Sequence, residues 1–287
     1  MLKVNKLIGK IPRLLIYILV LFVALITLFP LFSTIMASFK SNMEILTMPE
    51  TIMPQQWTFD NYVQAFNSDK FNLGRMLFNS IWTSVVEVLI VVFISAVCGY
   101  VFARGEFPGK KTIFMIFTSL MFISLGSITI YPKLTLLSNV GLNKSLWGLI
   151  ALKCFGIPVA NMYIVRGFVK ALPKELDEAA TIDGCTFTGI FFRIIFPLLV
   201  PALMTIGIMA FNGSWNEYIM PAIFTMTKPE QQTLMVGIMA LKNSGESAVS
   251  WNILFAAATL SMLPVLIVFV AANKYITAGV TAGAVKG

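Results

Sequence analysis

The chain has 287 residues, of which 57% are hydrophobic and only 12% are charged, with a formal net charge of +8. An ordinary soluble domain carries about 25% charged residues, so this chain cannot cover a water-facing surface and is read as an all-α integral membrane protein. Its lysines and arginines are scattered at the ends of apolar runs, which excludes nucleic acid as their partner and points to membrane orientation. Lys3, Lys6, Lys10 and Arg13 precede an apolar run over 14–37. That run exceeds the roughly 7–15-residue core of a signal peptide, so it is expected to be an uncleaved first span with a cytoplasmic N-terminus. Residues 38–75 are mixed and read as an external loop with a short interfacial helix. The second span is expected over 77–102, followed by a basic turn over 104–111. The sequence GEFPGKK in that turn falls short of a phosphate-binding loop: its spacing is one residue short, and Lys111 stands where the metal-binding hydroxyl belongs.

A third span is expected over 112–131, then a short external loop over 133–144. The fourth span, 146–168, is interrupted by Gly156 and Pro158. A polar stretch follows, and the fifth span runs over 194–211 with Pro197 and Pro201 in its first turns. Residues 213–250 read as a second external region, and the sixth span covers 251–272. Six spans put both termini on one side. Thirteen lysines and arginines fall on that side against seven on the other, with Lys153 inside a span, so that side is expected to be the cytoplasm.

The polar stretch between spans four and five organises the rest. Four acids, Glu175, Asp177, Glu178 and Asp183, sit with Lys174 between two apolar runs. Pro173 suits the first turn of a helix, and the acids that follow it complement the positive end of the helix dipole. Gly184 stands where the helix should stop, because glycine takes the left-handed C′ conformation without strain. The spacing predicts a helix over 173–183, about 16 Å long, a sharp turn, and a second helix entering the membrane past Pro197.

Within this stretch Glu178-Ala179-Ala180, then Gly184 after three residues, then Ile194-Ile195-Phe196-Pro197 after nine, resembles the EAA loop of ABC importer membrane subunits. The family pattern ends in Ile-x-Leu-Pro, and Phe196 replaces its leucine here. Leu172-Pro173-x-Glu175-Leu176 and Ile182-Asp183-Gly184 resemble the carbohydrate branch, the maltose-type permeases related to the G subunit. So do Ala103-Arg104-x-x-Phe107-x-Gly109-Lys110 and the tail from Gly279 to Gly287.

The resemblance spans essentially the whole chain and implies a type I ABC importer permease fold of six transmembrane helices with cytoplasmic termini. Residues 1–72 would hold the N-terminal segment, first helix and external loop. Residues 73–273 would form the transmembrane core with the coupling loop at 171–193, and 274–287 a flexible cytoplasmic tail. The implied function is a permease subunit of a carbohydrate importer, forming part of the pore and coupling ATP hydrolysis by partner subunits to alternating access. Implied partners are a second permease subunit, two cytoplasmic ATP-binding subunits and an extracellular or periplasmic solute-binding protein, in a prokaryotic cell membrane. ATP would be bound by the partners, so no cofactor or metal is expected on this chain. Glu178, Ala179, Ala180, Asp183, Gly184 and Pro197 would carry the coupling.

Other residues are candidates for the substrate pathway. Glu87 lies about ten residues into the second span, where a carboxylate costs roughly 2.5–3.5 kcal/mol on insertion scales and so faces a bundle interior or a wet cavity. It reads either as a paired structural acid, with Lys153 as candidate partner, or as a cavity acid for sugar hydroxyls. Asn212, Trp215, Asn216 and Glu217 offer amides, a carboxylate and an aromatic face suited to sugars, and equally an interfacial tryptophan belt with polar caps. The rival from another class is a proton-coupled secondary transporter with Glu87 as carrier. An enzyme is not expected: histidine is absent, no plausible nucleophile–base pair stands out, and Cys98, Cys154 and Cys185 read as small buried hydrophobes.

Overall fold

A chain in hydrocarbon must satisfy each backbone N–H and C=O internally, and for runs of this length a helix does so within one segment. The structure, a computed structural model, describes residues 11–68, 71–123, 126–243 and 250–284, and among the described residues it is helical without strands. The basic flank Lys3, Lys6 and Lys10, together with Lys70 and residues 285–287, lies outside the described residues. In chain order the α-helices are α1 Ile11–Ala37, α2 Asn42–Thr47, α3 Asp60–Asn67, α4 Leu73–Arg104, α5 Lys110–Leu120, α6 Ile130–Ser138, α7 Leu146–Phe155 and α8 Val159–Ala171. They continue with α9 Glu175–Ile182, α10 Phe187–Ile190, α11 Phe196–Trp215, α12 Ile219–Thr225, α13 Leu234–Lys242 and α14 Trp251–Ala284.

Among the described residues four helices are long and apolar enough to cross a membrane, or five if the bent pair α7–α8 counts as one span. The 43° bend falls between Phe155 and Val159, at the Gly156–Pro158 interruption. Proline forces the residue before it away from the helical region and offers no N–H to continue the ladder. The third expected span is not one helix. α5 stops at Leu120 after 11 residues, and a 3₁₀ turn at Gly126–Thr129 precedes α6. Eleven residues reach about 16 Å, half of a hydrocarbon core, and Gly126 has φ +52°, a left-handed conformation that cannot extend a helix. α14 is apolar over Trp251–Ala272 and stays helical to Ala284, so the tail expected from 274 continues as helix.

The described chain forms two compact units, Met1–Leu73 with Ala240–Met262, and Gly74–Met239 with Leu263–Gly287. In the first, α1 carries exposed Leu19, Phe22 and Leu25, a surface suited to lipid. The expected external loop is ordered around buried Asn61. Its amide donates to the carbonyls of Ser38 (2.7 Å) and Lys40 (2.8 Å), and its carbonyl accepts from Asn252 at 2.8 Å. The Lys40 ammonium, also buried, donates to the carbonyl and hydroxyl of Thr51.

In the second unit the core joins Ala96 and Tyr100 of α4, Val165 and Val169 of α8, Ala180 of α9, Ile190 to Ile195, and Leu199, Leu203 and Ile206 of α11. Gly99 permits a close approach of α4 to α8: a Cβ there would lie 2.5 Å from Val165 Cγ1 and 3.1 Å from the Arg166 backbone nitrogen. A second cluster joins Leu137, Leu146, Leu149 and Phe224. Residues 213–250, expected as an external region, thus contribute buried side chains. The Asn79 amide also holds the carbonyls of Glu230 and Gln232, each at 3.0 Å. The cysteines are free, with Cys98 and Cys185 half-buried and Cys154 exposed rather than buried.

The polar elbow and the pocket around Glu87

The helix predicted over 173–183 forms as α9, and its stop is built as expected. Asp183 is the C-cap, Gly184 takes φ +79°, the Cys185 N–H bonds to the Ala180 carbonyl (2.9 Å) and the Gly184 N–H to that of Thr181 (3.0 Å). This pairing is a Schellman motif, which satisfies the last carbonyls of a helix through a left-handed residue. The next helix starts at once: the Thr186 hydroxyl accepts from the Gly189 N–H at 3.2 Å, capping α10. α10 passes through a π-helical turn, Phe191–Ile195, where the Phe196 N–H bonds to the Phe191 carbonyl. Pro197 follows in the first turn of α11 and is exposed. Proline cannot donate to the carbonyl four residues back and its ring crowds it, so a locally widened turn accommodates the ring. Pro197 therefore shapes the second limb of the elbow and lies away from its tip.

The elbow has two faces. Glu178, Ala179, Asp183 and Gly184 are exposed, and Ile182 is 87% exposed at the tip. Ala180 is turned inward, 4% exposed, in the core with Tyr100 and Phe191. A partner can therefore approach Ala179, whereas Ala180 roots the helix in its own fold. Tyr100 donates to the Phe187 carbonyl at 3.1 Å and packs its ring 4.5 Å from that of Phe187 and 5.1 Å from that of Phe191.

An ion pair that sequence reasoning missed ties the first limb to α4. Arg104 Nε lies 2.8 Å from Asp177 Oδ2, both atoms shut off from solvent, and the same guanidinium donates to the Leu172 carbonyl at 2.9 Å. The opposite charges were visible in the sequence, but nothing in their spacing signals that the chain brings them together.

The candidate pathway residues divide. Glu87 is buried within α4, and Lys153 at the end of α7 reaches its carboxylate at 3.6 Å. Together with Asn161, Ser214 and Glu217 they line a pocket of about 460 Å³. The other three lie elsewhere. Trp215 is 4% exposed and stacks on Phe211, ring centres 5.6 Å apart, so its position on the inward face of α11 denies it to a sugar. Asn216 donates to the backbone and side-chain carbonyls of Asn212 at 2.9 and 2.8 Å, a polar cap on the exposed end of α11. Glu217 accepts from the Met220 N–H at 3.4 Å. No group of metal-ligating side chains occurs among the described residues.

Helices long and apolar enough to cross a membrane, with a short polar helix rooted among them by one side and exposing Glu178, Ile182 and Asp183 on the other, define the chain as a membrane component. Residues 7–282 match the model of the binding-protein-dependent transport system inner membrane component family, and the chain belongs to that family. It is 32% identical to the inner membrane ABC transporter permease protein YcjP of Escherichia coli over 263 residues, 92% of each chain. It is likewise 32% identical to the galactooligosaccharides transport system permease protein GanQ of Bacillus subtilis, over 94% of each. The diacetylchitobiose uptake system permease protein NgcG of Streptomyces coelicolor is 31% identical over 91% of this chain and 84% of its own. The fold is shared with a chain of a bacterial ABC transporter involved in the import of the acidic polysaccharide alginate, at TM-score 0.80 and 21% identity over 93% of this chain and 97% of that one. These relatives are transport components, and this chain is not an enzyme.

Proposed function

We propose that this chain is one transmembrane subunit of an ATP-driven importer for a sugar or oligosaccharide. The names of GanQ and NgcG support the substrate class. The partners would be a second permease subunit, a pair of cytoplasmic subunits that bind the ATP, and a solute-binding protein outside the membrane. The chain would cross six times with both termini in the cytoplasm, the broken segment from α5 to α6 serving as the third crossing. The excess of basic residues on that side supports the orientation.

One observation carries the coupling role: the elbow presents Glu178, Ala179, Ile182 and Asp183 to solvent while its inner face is rooted in the core. Closure of the ATPase pair beneath this surface would move the elbow. Ala180, Tyr100 and Phe191 would pass that displacement to α4, α8 and α11, switching the pore between outward and inward access. The pocket around Glu87 and Lys153 offers hydrogen-bond donors and acceptors for sugar hydroxyls on the pathway. A proton-driven transporter is not favoured, because it gives the elbow no purpose.

Gly184→Val tests the reading. A Cβ at Gly184 would meet nothing within 4 Å, so the substitution adds no clash. It does force a β-branched residue to φ +79°, a strain of about 1–3 kcal/mol confined to the elbow. The variant should insert normally and lose uptake together with sugar-stimulated ATP hydrolysis. Normal uptake would refute the coupling role.

A further inference from the structure

Apart from the transport pathway, the chain holds a basic pocket of about 820 Å³, lined by Arg104, Lys110, Lys111, Arg166, Lys170 and Lys174 with the single acid Glu106. Three of its cations are already engaged, Lys110 through a hydrogen bond to the Gly105 carbonyl. Arg104 pairs with Asp177, while Arg166 donates to the Phe102 carbonyl at 3.1 Å and lies 3.9 Å over the Phe114 ring. Lys111, Lys170 and Lys174 are exposed and have no acid within ion-pair distance among the described residues. Burial, then the charges of Arg166, Lys170 and Lys174, hold the Lys110 ammonium below its ordinary range, with Glu106 opposing. An anion among these cations would relieve that crowding.

Lys110, Lys111 and Arg166 also line a second compartment of about 390 Å³, otherwise formed by Phe102, Phe114, Met115 and Thr118. On the same helix α5, Met115 and Ile116 are more than half exposed. Free phosphate or an acidic protein surface would engage the basic compartment and have no use for the apolar one. A phospholipid needs both. We propose that the two compartments hold one anionic phospholipid of the cytoplasmic leaflet, its phosphate among Lys110, Lys111, Lys170 and Lys174 and an acyl chain along Phe114 and Met115. Basic pockets at the cytoplasmic ends of membrane helices suit such headgroups. The inference rests on the cytoplasmic placement proposed above.

The test uses the assembled importer, purified with wild-type chain, with Lys111→Gln/Lys170→Gln, or with Met115→Ser, and native mass spectrometry of retained lipid. Wild type should retain phosphatidylglycerol at least fivefold over phosphatidylcholine, the double lysine variant should lose that preference, and Met115→Ser should lower retention. Equal melting temperatures establish that the variants fold. Lack of preference in wild type, or its persistence in the lysine variant, overturns the inference. Displacement by millimolar inorganic phosphate with no effect of Met115→Ser would assign the site to free phosphate. Retention only when the ATPase subunits are stripped away would assign it to a protein surface. Both outcomes also overturn it. Wild-type importer that transports yet shows no preference sinks the lipid site alone, whereas labelling of Lys111→Cys from outside the cell sinks the orientation and coupling reading as well.

Discussion

At the elbow, charge and aromatic surface are committed inside the fold: Arg104 meets Asp177 at 2.8 Å, Tyr100 bonds to the Phe187 carbonyl, and Ala180 is buried. Around Glu87 the arrangement is looser. Lys153 reaches the carboxylate only at 3.6 Å, its side chain is 48% exposed, and the pocket stays open. The contrast suits the roles proposed for the two places. A lever transmits displacement only if its root does not yield, and close packing makes a root stiff. A pathway must keep donors and acceptors available for a solute, so its polar groups pair loosely.

The contrast can be broken most severely at Gly99. Gly99→Leu would drive a side chain into Val165 and the backbone of Arg166, where α8 cannot retreat without losing the core beneath the elbow. The expected outcome is a more than tenfold loss of assembled protein in membranes, read by quantitative immunoblot; near-normal levels would mean that the helices are not this close. Next comes Asp177→Ala, which leaves Arg104 without its counterion. Losing one partner of a buried pair costs about 3–5 kcal/mol, and the 19% exposure of Asp177 lowers the expectation to about 2–3 kcal/mol. Thermal unfolding should show the loss, and the Arg104→Ala/Asp177→Ala double variant should be destabilised by less than the sum of the singles. Additive effects would sever the tie.

Lys153→Met should act more gently, lowering uptake severalfold with little change in melting temperature, since the lysine is half exposed; unchanged uptake would remove the pocket from the pathway. The smallest effect is expected from Asn212→Ala/Asn216→Ala. These side chains bond to each other at the end of α11, so substrate selectivity should not move, and a shift would restore them to the pathway.

The elbow was legible because its punctuation is local: Pro173 and the acids mark a start, and Gly184 marks a stop that only a left-handed residue can make. The bend at Gly156 and Pro158 was legible for the same reason. The broken third span was hidden because composition counts apolar residues, while Gly126 decides through its conformation. Trp215 was read as a sugar-stacking aromatic or as part of an interfacial belt, because a helical tryptophan near a span end looks alike whether it faces a pore, lipid or core, and only packing on Phe211 places it inward. Ala180 and the Arg104–Asp177 pair depend on contacts between distant segments, which spacing along one helix does not encode.

The most direct test places a cysteine at the tip of the elbow, Ile182→Cys, with Cys98, Cys154 and Cys185 replaced by serine, and asks what it touches in the assembled importer. The account predicts cross-linking to a cleft of the ATPase subunit, arrest of uptake when the link forms, and recovery on reduction. Labelling of that cysteine by a membrane-impermeant reagent from outside intact cells, with no cross-link to the ATPase, would contradict it.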